Sequence, residues 1–147
     1  MNEHIGVRTV VIVLPCKEGA VLMQLRDIDK DISYSGHWGY FGGHIEPNEG
    51  ALTCARREVF EEVGLSVENL HHLQTGFACD INTFCYSYGC ELTVPLSVLR
   101  QTEGVDMKLV TREELMSGMV YSEKLGRAFP VVPSPFVIEM FNRATAN

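Results

Sequence analysis

A chain of 147 residues with 46% hydrophobic side chains reads as a single soluble globular domain over residues 1–147, large enough to build a core without disulfide staples. Its formal charge of −7 disfavours non-specific binding to nucleic-acid backbones, which attract basic surfaces. No apolar run approaches the ~20 residues that span a bilayer, and the polar start Met1, Asn2, Glu3 and His4 does not resemble a leader. Cys16, Cys54, Cys79, Cys85 and Cys90 are odd in number and form no C-x-x-C. They are therefore expected to be free thiols in a reducing cytosol, rather than a zinc site completed by His71 and His72.

In chain order, residues 7–14 form an apolar, strand-like run and residues 20–25 a second one. The polar stretch 26–37 then reads either as a solvated connection or as a flap over a neighbouring site, reached by Arg26 or Lys30. Trp38, Tyr40 and Phe41 follow. An aromatic here can stack on a planar ligand, and Trp38 is expected in the core, holding the double glycine that comes next.

Residues 42–65 carry the chemistry. Gly42 and Gly43 lack side chains, so backbone groups there can approach a metal or phosphate closely. Pro47 or Asn48 can open a helix that Gly64 closes. Leu52, Ala55, Val59 and Val63 recur at helical spacing and predict a buried stripe. Glu58, Glu61 and Glu62 lie at i, i+3 and i+4, on a neighbouring face. Like charges so placed repel, and oxygen-loving Mg²⁺ or Mn²⁺ resolves the conflict. Arg57 can brace Glu61 one turn on, or reach back to Glu49.

Beyond the acidic helix, apolar segments run over 73–77 and 84–94, and residues 105–110 lead into a short helix near Thr111. Tyr121, Lys124 and Arg127 sit in a connection that is either plain loop or an approach to the site. Residues 130–135 break regular structure. Ser134 and Pro135 then fit the N-cap and first position of a last helix, with Phe136, Met140 and Ala144 on one face.

Gly43, Glu49, Arg57, Glu58, Val59, Glu61, Glu62, Gly64 and Leu65 fill every specified position of the pattern G-x5-E-x7-R-E-U-x-E-E-x-G-U, in which U is a bulky aliphatic residue. The chain thus resembles the Nudix hydrolase family. That resemblance implies an α/β fold, an α/β/α sandwich with a mixed sheet carrying the box as strand, loop and helix. It also implies metal-dependent hydrolysis of a nucleoside diphosphate linked to another group, by attack of water on phosphorus and with no covalent intermediate. By position, Glu58, Glu61 and Glu62 resemble the metal-binding carboxylates, with the Gly42 carbonyl as a further oxygen. Arg57 and Glu49 look like the pair that orients the helix. A further acidic residue on a later loop often serves as ligand or base; Glu103 occupies a comparable place, with Asp106 as the weaker candidate, and Glu58 or Glu61 remain alternatives as the base. Many relatives carry Pro before the two glycines, where this chain has Phe41.

The substrates so implied are nucleoside triphosphates or nucleotide sugars. An RNA 5′ end is disfavoured by the acidic balance, and a nucleotide-binding regulator would be expected to lack box carboxylates. Relatives often form dimers, so a homodimer is allowed.

Overall fold

The computed structural model describes residues 8–78 and 83–146; Met1, Asn2, Glu3, His4, Val7 and Cys79 lie outside them. The first two apolar runs form β1 (Arg8–Lys17) and β2 (Ala20–Leu25), joined by a turn in which Glu18 and Gly19 take positive φ. β2 is buried along its whole length and β1 over Val13, Leu14 and Pro15, which is why they read as continuous apolar runs. Val11, Val13 and Leu22 enter one core, while Leu14, Val21, Met23 and Leu25 enter another.

β1 and β2 pair only beside their turn, at Cys16↔Val21 and Lys17↔Ala20. Where they part, residues 38–44 fill the wedge. β3 (Trp38–Gly39) pairs with β2, and β4 (Phe41–His44) pairs with β1. This register sets Gly42 opposite Ile12 and Gly43 opposite Val11. A Cβ on Gly42 would land on the Val11 carbonyl oxygen, so only glycine permits the approach.

On the far side of β1, β5 (His71–Ala78) and β6 (Thr83–Glu91) extend the sheet. β6 runs parallel to β1, and β5 antiparallel to β6. β7 (Asp106–Val110) pairs antiparallel with β2 and completes a mixed seven-stranded sheet. Helix α1 (Ala51–Val63) covers one face through Cys54, Ala55, Val59 and Val63. After the short α2 (Arg112–Ser117) and the hairpin β8 (Met119–Ser122) with β9 (Arg127–Pro130), helix α3 (Pro135–Thr145) covers the other. The architecture is the expected α/β/α sandwich.

Several local expectations need adjustment. α1 opens at Gly50 with no side-chain cap, because Asn48 takes a left-handed φ of 65° and turns the chain before the helix begins. Leu52 lies in the first turn and stays exposed; Cys54 is buried in its stead. Tyr121 and Arg127 belong to the hairpin rather than to an open connection. Trp38 is fully buried as expected, its Nε1 donating to the Val120 carbonyl at 3.0 Å, and Phe41 is buried beneath α1. Ser134 and Pro135 open α3 as expected, with Ser134 Oγ accepting from the Phe136 amide at 3.2 Å. No helix among the described residues is long and apolar enough to cross a membrane.

Candidate active site

The turn between β4 and α1 is tied by Glu49. Its Oε1 accepts from the Glu46 amide at 3.0 Å, and its two oxygens take Arg57 Nε at 2.7 Å and Nη2 at 2.9 Å. This two-pronged pair fixes the side chains in a plane. Arg57, joined by the Glu46 amide, holds the Glu49 carboxyl down at about 2. Arg57 Nη1 also donates to Glu58 at 2.9 Å and to Glu61 at 3.2 Å. Both contacts open to Arg57 from the sequence are therefore made at once.

The other end of α1 is closed by a distant loop. Gly64, at φ 75°, donates to the Phe60 carbonyl at 2.8 Å. The last helical carbonyls, which have no partner inside the helix, are taken up by residues 100–102. The Arg100 amide bonds Val63 O, the Thr102 amide bonds Glu62 O, and Thr102 Oγ1 bonds Glu61 O, each at 2.9 Å. Glu103 follows directly, and these bonds hold it beside the acidic helix.

Glu62 faces inward and is only 5% exposed. Its Oε1 is the acceptor for the Gly42 amide at 3.4 Å. Burial above all, and then the Glu58 and Glu103 carboxylates, push its carboxyl up to about 9. Glu58 lies against Gly43 so closely that a Cβ there would meet its carboxyl group. Gly42, Gly43, Glu46, Glu58, Glu62 and Glu103 line an open cleft of about 1070 Å³. Arg8, Arg26, Tyr34, Tyr40, Val132 and Phe136 line it as well.

Of the residues singled out in the sequence, the structure brings Gly42, Glu58, Glu62 and Glu103 to this cleft. Glu61 and Arg57 do not line it. The Glu61 side chain is 57% exposed and turned to Arg57. Asp106 is engaged elsewhere, accepting from Ser122 Oγ at 2.7 Å and from the Met107 amide at 2.8 Å. Arg26 lines the cleft, whereas Lys30 pairs with Asp27 at 3.2 Å and stays outside it. Among the described residues no three His, Cys, Asp or Glu side chains stand as a ready-made metal-ligand set. Thr102, Arg8 and the α3 wall escaped sequence reading. Only Arg8, a cation beside an apolar run, left any local trace.

A model of the NUDIX domain matches residues 5–129. The chain is 33% identical over 82 residues to a protein named nucleoside triphosphatase NudI from Escherichia coli O1:K1 / APEC, covering 56% of this chain and 57% of that one. It is 35% identical over 66 residues to an oxidized purine nucleoside triphosphate hydrolase from Danio rerio, covering 45% of this chain and 40% of that one. The matches thus span about half the length of these relatives. Among solved structures, a MutT protein from Methanosarcina mazei Go1 superposes with a TM-score of 0.66 at 16% identity, over 97% of this chain and 95% of that one. A MutT NUDIX hydrolase from Burkholderia pseudomallei gives 0.68 at 16% identity, over 91% and 97%. These structural likenesses carry the fold. The domain match, over most of the chain and across the full acidic box, carries the family: this protein belongs to the Nudix family.

Proposed function

We propose that the chain hydrolyses a phosphoanhydride bond in a nucleoside triphosphate, using Mg²⁺ or Mn²⁺. The observation that carries this reading is the meeting of Glu58, Glu62 and Glu103 at the double glycine, in a cleft large enough for a nucleotide. The donors fit a hard divalent cation. They are carboxylate and carbonyl oxygens only, and Glu62 is buried among like charges that need a countercharge to ionise together. Glu58, Glu62 and the Gly42 carbonyl would hold the cation, joined by Glu61 once its side chain swings off Arg57. When bound, the cation neutralises the pyrophosphate and polarises the phosphorus under attack. Glu103, at the cleft rim, accepts the proton of the attacking water.

A triphosphate is favoured over a nucleotide sugar by the names of the relatives at 33% and 35% identity, a nucleoside triphosphatase and an oxidized purine nucleoside triphosphate hydrolase. Cys16, Cys54 and Cys90 are free thiols, which supports a cytosolic setting. The test is a phosphate-release screen with Mg²⁺ and Mn²⁺ over nucleoside triphosphates, nucleotide sugars, dinucleoside polyphosphates and triphosphorylated RNA. Turnover of triphosphates, with ¹⁸O from labelled water in one phosphate product, is expected. Turnover of none of these compounds would overturn the reading.

A further inference from the structure

The loop over 26–37 is closed on itself rather than loose. The Arg26 amide donates to His37 O at 2.9 Å, Arg26 Nε to Ser33 O at 2.8 Å, and Ser35 Oγ to Asp27 O at 2.8 Å. Inside this polar frame sit two apolar side chains that join no core, Ile32 at 40% exposure and Tyr34 at 37%. Both line the same cleft as the carboxylates. Tyr34 is held at φ 55°, a conformation that aromatic residues adopt rarely and only where the surroundings impose it. Its ring meets His37 edge-on, with centroids 5.5 Å apart, so its orientation is braced as well. The same lining includes the apolar and aromatic side chains Val10, Ile12, Tyr40, Val132 and Phe136. Tyr40 is itself anchored, its hydroxyl donating to Val137 O at 2.6 Å.

A braced aromatic ring and an aliphatic neighbour in a cleft that also holds apolar and aromatic side chains suit a flat heteroaromatic ring. We propose that Tyr34, backed by Ile32, is the residue on which the base of the nucleotide stacks. Tyr34 thereby favours substrates that carry a base over bare polyphosphate. This rests on the nucleotide reading of the same cleft, but not on catalysis. Lys30 takes no part, since it is directed away to Asp27.

The experiment is equilibrium binding of a non-hydrolysable α,β-methylene nucleoside triphosphate and of inorganic tripolyphosphate, each with Mg²⁺, to the full chain and its variants. Tyr34→Ala should weaken nucleotide binding about tenfold, in the range of one lost base–aromatic stack, and leave tripolyphosphate binding within about twofold. Tyr34→Phe should restore nucleotide binding, whereas Tyr34→Gly, which relieves the positive φ without supplying a ring, should not. Unchanged nucleotide affinity in Tyr34→Ala overturns the proposal. So does an equal loss for both ligands, because the loop would then act on the phosphates. A wild-type chain that binds the analogue with this pattern yet hydrolyses nothing overturns the hydrolase reading alone. Active enzyme with no effect at Tyr34 overturns the stacking alone.

Discussion

The two sides of α1 treat their carboxylates in opposite ways. On the outer side, Glu49 and Glu61 share Arg57 at 2.7 and 3.2 Å, and Glu49 is held at about 2. On the cleft side, Glu62 has no cation partner among the described residues and is pushed up to about 9 by burial, Glu58 and Glu103. Glu58 belongs to both, touching Arg57 at 2.9 Å and bordering the cleft. One helix thus neutralises its outer acids with its own arginine and leaves its inner acids short of positive charge. That shortage is what a divalent cation would meet.

The largest effect should come from Glu62→Gln. Turnover should fall by at least ~10²-fold, as for other losses of a positioned catalytic carboxylate. The metal-free fold should not suffer. A carboxyl raised from an ordinary 4.5 to about 9 contributes stability that is fully present below pH 4.5 and lost as pH rises through about 9. Thermal unfolding in EDTA should therefore show wild type weakening between pH 5 and 9, with the Gln variant weakening less and gaining about 3 °C or more at the alkaline end. Parallel pH profiles for the two proteins would remove Glu62 from its proposed setting.

Glu103→Gln ranks next. If the loop carboxylate accepts the proton, kcat should drop by about 10²-fold with little change in KM. An altered acidic limb in the pH–rate profile marks a base, whereas a raised metal requirement marks a ligand. Normal turnover across pH and metal concentration passes the role to Glu58 or Glu61.

Arg57→Ala sharpens the comparison from the outer side. It strips the countercharge from Glu49, Glu58 and Glu61 together, so turnover should fall by about tenfold through misplaced carboxylates, with excess Mg²⁺ restoring part of the rate. Glu61→Gln separates the two sides directly. It removes one exposed pair worth roughly 0–1 kcal/mol, and so should leave the pH dependence of unfolding as in wild type even while lowering turnover. Should Glu61→Gln and Glu62→Gln prove identical in both assays, the helix does not sort its acids as described.

Much of this was legible beforehand because its causes are local. Ala20–Leu25 is a strand with the bounds of its apolar run, and Ser134 with Pro135 opens α3 by side-chain chemistry two residues long. Glu58 and Glu62 reach the cleft because both the period of the helix and the double glycine are written in the chain. What was not legible depends on partners far away in sequence. Glu61 lies on the outer side through Arg57 and the turn that Glu49 ties. Thr102 delivers Glu103 only because α1 ends with bare carbonyls beside it. The wedge of residues 38–44 between β1 and β2 needs two strands to diverge, which no window of sequence reveals.

The smallest effect on catalysis is expected at Cys54, the thiol nearest the acidic machinery. It sits three residues before Arg57, which reaches its sulfur at 3.6 Å, and its own Sγ approaches the His44 carbonyl at 3.5 Å. Proximity alone makes it a tempting nucleophile. Its environment argues otherwise: burial first, and then Glu49, push the thiol up to about 12, so thiolate is scarce at neutral pH. The side chain is fully buried against α1's own stripe, where a sulfur fills space. Cys54→Ala should therefore cost about 1 kcal/mol of stability through the small void it leaves, and keep kcat within about twofold of wild type. Mass spectrometry of the wild-type chain during turnover should find no phosphorylated or nucleotidylated cysteine. A trapped thiol adduct at Cys54, or a collapse of kcat in a folded alanine variant, would replace direct attack by water with a covalent route.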